Sequence, residues 1–401
     1  MDVKVMNNAA NNLRVLIAEM VEKSKSGHPG GAMGGADFIN VLYSSFLVYD
    51  PADPKWFARD RFFLDPGHMS PMLYSILALT GKFTIEDLQN FRQWGSVTPG
   101  HPEVDVERGI ENTSGPLGQG HVMAVGAAIA ERFLAARFGE VVAHKTYAFI
   151  SDGGIQEEIS QGAGRIAGKL GLSNLIMFYD SNKVQLSTNV SDVTNEDTAA
   201  KYRAWHWNVI EVDGTDPLAI AGALQQALEE KEKPTLIIGN TIMARGAVDA
   251  EGNSLEGSIA THGQPLSAAG ADIDKTVANL GGDPENPWVI REDVKNLYAA
   301  RAEELKKIVA VRRQAYDEWA AANPDKARQL QDYIDLKLPA LPWDSVEFKA
   351  NMASRAASAT VLGFLAEHVG NMIVSSADLA NSDKTDGFLK KTTVLCKEDF
   401  T

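Results

Sequence analysis

One cysteine in 401 residues, Cys396, has nothing to pair with inside the chain. An internal disulfide framework and a cysteine-based zinc site are therefore both excluded. That usage fits a reducing cytoplasm, which is the expected location. No apolar run is long enough to span a bilayer. The opening, MDVKVMNNAANNLRVLIAEM, has no basic stretch followed by an apolar core, so no secretory signal is expected. Positive charge is scarce: 38 Lys+Arg face 53 Asp+Glu, a formal net charge of −15. Such a balance leaves no electrostatic footprint for nucleic acid or an anionic membrane. An anionic ligand must be held by local groups or by a metal. Internal repeats and low-complexity tracts are also missing.

What remains is an ordinary globular composition, 44% hydrophobic and 23% charged, in a chain long enough for two domains. Residues 12–25 carry Leu13, Leu16, Ile17, Met20 and Val21 at helical spacing, closed by Gly27. A second helix is expected over 31–47 and a short strand over 61–65. Residues 116–138 form a long Ala-rich helix. The centre alternates: strand 146–151, helix 155–170, strand 174–180, helix 197–206, strand 209–212, helix 217–231, strand 235–240. Alternation of this kind predicts an α/β fold, a parallel sheet with helices on both faces. Its ligands belong at the carboxyl ends of the strands, which puts Asp152 and the segment after Asp180 at one rim. Residues 246–286 read as a long loop region and 292–333 as charged helix. Residues 336–343, with Pro339 and Pro342, read as a linker. A helix over 353–368 and a strand over 371–375 follow.

Three patterns carry chemistry. Ser151-Asp152-Gly153-Gly154 is followed about thirty residues later by Asp180-Ser181-Asn182. A carboxylate and an amide oxygen at neighbouring strand ends suit magnesium, which seeks six oxygens and often shares phosphates. Gly153 lets the backbone approach a phosphate closely. The competing reading is that Asp152 only caps the helix starting at Ile155 and Asn182 only makes a turn. The second pattern, Gly115-Pro116-Leu117-Gly118-Gln119-Gly120, enters a helix. Locally it is either an anion site at a helix N-terminus or a turn for close packing. Third, four of the eight histidines lie in Gly/Pro contexts: His28, His68, His101 and His262. Each alone is more often a plain surface or capping residue, but loop histidines can donate to phosphate or hydroxyl oxygens and relay protons near neutrality. A zinc site is the rival reading, and the close helical spacing of a zincin is absent.

Taken in order, SGHPG, PGHMS, TPGHPE, GPLGQG, SDGG…EEIS…FYDSN, THGQPL and SADLANS resemble the transketolase family along nearly the whole chain. The resemblance implies thiamine diphosphate as cofactor, with Mg2+ and with Ca2+ or Mn2+ as substitutes. It implies Asp152, Asn182 and the main-chain oxygen of Val184 as metal ligands, and Gly153 and His68 at the diphosphate. Gly115, Pro116 and Leu117 would border the aminopyrimidine, in place of the anion suggested by the turn alone. His28, His101 and His262 would face the reacting carbon of the cofactor and the substrate hydroxyls. Arg355 and Ser382 would hold the substrate phosphate, and Asp378 would lie near the cofactor ring. Glu157 resembles the family's interface glutamate. The TPGHPE and SADLANS segments favour transketolase over deoxyxylulose-phosphate synthase.

The implied organisation is a diphosphate-binding domain over residues 1–335 with a helical extension from about 290, then a linker at 336–345. Residues 346–401 would begin a pyrimidine-binding domain. The implied activity is transfer of a two-carbon ketol unit between sugar phosphates in the non-oxidative pentose phosphate pathway, by a homodimer with shared sites. Neither nucleic acid nor membrane is an expected partner. The family's activating glutamate matches no residue up to Thr401, so the chain alone is expected to be inactive. Alternatives are a natural amino-terminal subunit of a split enzyme and a non-catalytic cofactor-binding module. Ser151 replaces the family's usual glycine, and residues 245–259 depart from the family's usual sequence.

Overall fold

The computed structural model describes residues 1–401. They form two compact units, one of residues 1–132 with 143–312 and the other of residues 133–142 with 313–401.

The first unit opens with α1 (Val3–Ser24), begun at an Asp2 N-cap and ended at Lys25 in the left-handed region. The helix expected over 31–47 is instead three short pieces: α2 (Pro29–Gly34), α3 (Ala36–Val41) and a π-turn at Leu42–Phe46. The glycine pair Gly34-Gly35 interrupts it. There follow β1 (Arg61–Leu64), α4 (Ser70–Leu79), α5 (Ile85–Gln89) and α6 (Gln119–Phe138). Next come β2 (Thr146–Ser151), α7 (Asp152–Gln156), α8 (Glu158–Leu170) and β3 (Leu175–Ser181). Then α9 (Thr198–Ala204), β4 (Asn208–Asp213), α10 (Pro217–Glu229) and β5 (Thr235–Asn240) complete the alternation. The expected loop region contains a short helix, α11 (Ile273–Asn279).

All five strands are parallel, in the order β1-β2-β3-β5-β4. Period-2 alternation divides their side chains between two buried faces. Phe62, Leu64, Tyr147, Phe149, Ile176, Phe178 and Ile237 join the core that α1, α3, α4 and α10 complete. Phe63, Ala148, Ile150, Leu175, Met177, Leu236 and Ile238 are buried on the other face. A parallel sheet covered on both sides is thus observed, as the near-continuous apolar runs require. Register pairs Ser151 with Asp180 and Ser181 with Asn240, so three strands end at one level. That level carries the chemistry.

The expected charged helix over 292–333 is two helices, α12 (Glu292–Ala322) and α13 (Pro324–Ile334). Pro324 has no N–H to continue the first and sits at the N1 position of the second, where none is needed. In the second unit, Phe138 meets Trp319 and Tyr333 edge-on, with ring centroids 6.4 and 5.8 Å away. The unit also holds α14 (Ser354–His368), α15 (Ala380–Asp383) and α16 (Asp386–Leu389). The strand expected over 371–375 is not formed: those residues belong to no ladder. A strand is defined by its partner, and an apolar stretch with none adjacent has nothing to pair with.

Candidate active site

Beyond the carboxyl ends of β2 and β3 lies a cavity of about 640 Å³, within the usual range for small-molecule sites. Its lining includes His28, His68, His101, Gly115, Leu117, Asp152, Gly153, Asn182, Val184 and His262. Seven separate stretches of sequence therefore converge there. Pro116 lies between two of its lining residues. Arg355, Asp378 and Ser382 belong to the second unit, where an Arg355 Nη1 donates to the Ser382 carbonyl at 3.3 Å.

Asp152 is 2% exposed and follows directly on β2. One of its carboxylate oxygens accepts from the Tyr179 hydroxyl, the other from the main-chain N–H groups of Asn182 (3.1 Å) and Lys183 (2.9 Å). Lys183 reaches this position with φ of +68°, a left-handed conformation uncommon for a non-glycine residue. Burial raises the Asp152 pKa, opposed by the Tyr179 hydrogen bond. Asp180, fully buried at the end of β3, accepts from Thr241 Oγ1 and from the Asn182 side-chain amide at 3.0 Å. Burial pushes Asp180 up to about 7, and the Asp152 charge adds to the shift. With its Nδ2 engaged by Asp180, Asn182 must direct its oxygen elsewhere, and that oxygen accepts from Val184 N at 3.0 Å.

This donor set suits a hard dication. Two carboxylates buried at adjacent strand ends meet hydroxyl and amide donors, and no ion pair with lysine or arginine neutralises either. A carboxylate oxygen has lone pairs beyond one accepted hydrogen bond, as does an amide oxygen. No three His, Cys, Asp or Glu side chains are grouped to hold a metal ion. A cation here would draw on one carboxylate, amide and main-chain oxygens, and oxygens of a ligand, the mode magnesium favours.

The histidines form another part of the cavity wall. Ring centroids of His28 and His68 are 5.0 Å apart, those of His28 and His262 6.0 Å, and those of His68 and His262 5.6 Å. Burial, then the neighbouring His262, Arg92 and His101, pushes His28 down to about 4. Burial lowers His68 and His262 as well, and His101 is lowered by burial and by Arg92. These rings are neutral at pH 7, so each has one donor and one acceptor nitrogen. Nδ1 of His28 and of His262 is buried without a partner, a deficit a polar ligand can fill.

Close backbone approach assembles the wall. A Cβ on Gly30 would come within 2.4 Å of the Met243 sulfur and 2.6 Å of the Thr261 carbonyl oxygen. The His28 and His262 segments thus meet only because residue 30 lacks a side chain. A Cβ on Gly67 would meet the Ser114 carbonyl carbon at 2.8 Å and Gly115 N at 2.9 Å, so His68 lies beside the Gly115 turn for the same reason. Sequence reasoning missed the supports: Tyr179 behind Asp152, Asp180 behind Asn182, and Met243 and Leu186 in the lining. Tyr179 and Asp180 were within reach, since strand-end position marks both; Met243 and Leu186 had no signal.

A parallel sheet with acid, amide and histidine groups gathered at its carboxyl rim defines an α/β cofactor-binding domain. A family model described as "Transketolase, thiamine diphosphate binding domain" matches residues 5–339. Transketolase 2 of Escherichia coli (strain K12) is 39% identical over 405 residues, covering 97% of this chain and 59% of that protein. The transketolase of Geobacillus stearothermophilus is 38% identical over 394 residues, covering 94% and 57%. Among solved structures, transketolase from Leishmania mexicana superposes with a TM-score of 0.92 at 33% identity, over 98% of this chain and 59% of that one. The Pichia stipitis transketolase complex with sedoheptulose 7-phosphate gives 0.88 at 35% identity, over 95% and 57%. The chain belongs to the transketolase family and carries its thiamine diphosphate-binding domain. It spans less than two thirds of the length of these relatives.

Proposed function

We propose that this cavity is the diphosphate and metal half of a transketolase active site, which transfers a two-carbon ketol unit from a ketose phosphate to an aldose phosphate. The observation that carries the reading is the convergence of Asp152, Asn182, the Gly115–Leu117 turn and the loop histidines on one cavity. Mg2+ would be held by Asp152, the Asn182 side-chain oxygen and the Val184 carbonyl. Gly153 and His68 would border the diphosphate. When bound, thiamine diphosphate supplies the electron sink for the two-carbon fragment. The protein binds, orients and moves protons. His28, His101 and His262, neutral near pH 7, would each donate one hydrogen bond to a sugar hydroxyl or carbonyl oxygen and accept one in return. A neutral imidazole relays a proton by accepting at one ring nitrogen while it donates from the other, so no ring need hold a full positive charge. Arg355 and Ser382 would bind the sugar phosphate, for which a planar guanidinium is well shaped, and Asp378 would lie near the cofactor ring.

The active species in this proposal is a cytoplasmic homodimer with two symmetry-related sites, working in the non-oxidative pentose phosphate pathway. The residue ranges 1–335, 336–345 and 346–401 are proposed as the diphosphate-binding domain, linker and pyrimidine-binding segment. The decisive test is a two-carbon transfer assay with xylulose 5-phosphate and ribose 5-phosphate. It is run on the chain alone and with the carboxyl-terminal part of a transketolase to which the chain does not align. Transfer that depends on thiamine diphosphate and magnesium supports the proposal. Absence of both transfer and calorimetric cofactor binding in every combination overturns it.

A further inference from the structure

Asp65 stands immediately after β1, is 0% exposed and does not line the cavity. It forms no salt bridge; its carboxylate is satisfied by main-chain N–H groups. Oδ2 accepts from Gly118 N at 3.1 Å and Oδ1 from His121 N at 3.0 Å, and Gly120 N adds a third donor. The carboxylate therefore sits against the first turn of α6, where unpaired N–H groups and the helix dipole both favour negative charge. The other end of the same turn is tied to the same residue: Ser114 Oγ donates to the Asp65 carbonyl at 2.6 Å. One buried residue thus brackets the Gly115-Pro116-Leu117 turn from both sides.

The surrounding glycines are fitted to that carboxylate. A Cβ on Gly154 would lie 2.3 Å from Asp65 Oδ2, and one on Gly120 2.5 Å from Asp65 Cα. Gly154 follows Asp152 by two residues, so the same carboxylate also abuts the turn that carries the proposed metal ligand. Burial pushes Asp65 up to about 6, opposed by the N–H donors.

We infer that Asp65 is a positioning residue that fixes the Gly115–Leu117 turn at the height where it borders the cofactor's aminopyrimidine. The inference rests on the proposed thiamine diphosphate site. Asp65 acts on the heterocycle through the turn it hydrogen-bonds; toward the diphosphate side it makes only a packing contact with Gly154. A general structural prop would affect both ends of the ligand alike.

The test compares binding of thiamine diphosphate and of inorganic diphosphate, both with magnesium, to wild type, Asp65→Ala and Asp65→Asn, by calorimetry on the full chain. Amide exchange at Gly118 and His121 is followed in parallel. Asp65→Ala should weaken thiamine diphosphate by about ten- to a hundred-fold, the range seen when a supporting partner of a ligand-contacting group is lost. It should leave inorganic diphosphate within about two-fold and speed exchange at both amides. Asp65→Asn retains one acceptor oxygen and should recover most of the affinity. Should the alanine variant not fold, Asp65→Asn decides alone, through faster exchange at one of the two amides and a smaller loss confined to thiamine diphosphate. Unchanged exchange, unchanged thiamine diphosphate affinity, or equal weakening of both ligands would overturn the inference. If wild type binds neither ligand, alone or with the carboxyl-terminal part of a transketolase added, the proposed function fails, and the exchange rates alone then decide whether Asp65 fixes the turn.

Discussion

Tyr179 on β3 donates its hydroxyl to the Asp152 carboxylate at the end of the neighbouring strand. The register that pairs Ser151 with Asp180 sets Tyr179 beside the strand end where Asp152 begins its turn. The phenol is buried, and its pKa is raised by burial and by the Asp152 charge, so it remains a donor at any physiological pH. It fixes one carboxylate oxygen, while the main-chain N–H groups of Asn182 and Lys183 hold the other. Tyr179→Phe keeps the ring and deletes the donor. Magnesium-dependent binding of thiamine diphosphate should weaken about ten-fold, the lower end for loss of a hydrogen bond behind a metal ligand. Calorimetric titration checks it; an unchanged affinity would show that the carboxylate needs no orientation from this side.

His121 is fully buried on α6, neither ring nitrogen has a partner, and its edge faces the Trp207 ring with centroids 6.5 Å apart. Burial pushes its pKa down to about 4. The unfolded chain therefore takes up this proton first as pH falls below about 6.5, and folded-state stability is lost until both states are protonated near 4. Between pH 7.5 and pH 5 this one group contributes a loss of about 2 kcal/mol. His121→Leu removes the titration at similar volume. Urea unfolding at the two pH values should show the wild type losing about 2 kcal/mol more than the variant over that interval. Equal losses would mean that the ring finds a charged-state partner.

The sheet was legible because its strands are short apolar runs separated by helical periods. Thr146–Ser151 and Thr235–Asn240 were bounded to the residue, as polar or turn residues flank each. The glycine motifs and loop histidines were legible as chemistry because irregular, small-residue backbone is a poor place for a core side chain. What the sequence could not convey was support across distance. Asp65 and Gly118 are 53 residues apart, and no periodicity links them. The break at Gly34-Gly35 was missed because the apolar spacing runs on through it. The strand expected at 371–375 failed for the opposite reason: its composition was right, but pairing depends on a neighbour that composition does not specify.

Gly30→Ala tests whether close approach assembles the histidine wall. The added methyl would lie 2.4 Å from the Met243 sulfur and 2.6 Å from the Thr261 carbonyl. The thioether can rotate aside, but the carbonyl moves only with its chain. A loss of about 1–3 kcal/mol in stability is expected, as for other small-to-large changes in packed interiors. Because the displaced chain carries His262, cofactor binding should weaken as well. Gly222→Ala is the control, since a Cβ there meets nothing within 4 Å. Chemical denaturation of both variants separates the two effects, and equal stability would remove the assembly role of Gly30.

Asp37 joins two arginines in a buried cluster. It pairs with Arg14 on α1 and, at 2.7 Å, with Arg245 in the segment that leads to His262. Arg14 is 1% exposed and also donates through Nε to the Met33 carbonyl at 3.1 Å. Removing the shared anion leaves a buried guanidinium uncompensated, which costs about 3–5 kcal/mol. Asp37→Ala should therefore lower the urea midpoint sharply and speed amide exchange from Ala244 onward. Thermodynamic coupling between Asp37→Ala and Arg245→Ala should be smaller than that with Arg14→Met, because Arg245 is 30% exposed and regains water.

Asp152→Asn separates stability from ligand binding. The wild-type carboxylate is buried beside Asp180, whose side chain shares Asn182 with it, and two like charges there repel. The amide keeps an oxygen to accept from Asn182 N or Lys183 N, and Tyr179 can rotate its hydroxyl to either role. Without metal, the variant should unfold at a urea concentration equal to or above that of the wild type. With magnesium and thiamine diphosphate, the wild type alone should gain stability, because a ligand that binds only the folded state shifts the midpoint by mass action. Magnesium affinity should fall by at least about a hundred-fold, since a neutral oxygen replaces the one charged ligand proposed for this site. A midpoint that rises equally in both proteins would remove Asp152 from the metal. A variant unstable in the absence of metal would mean that the carboxylate is held for folding and that its ligand role is secondary.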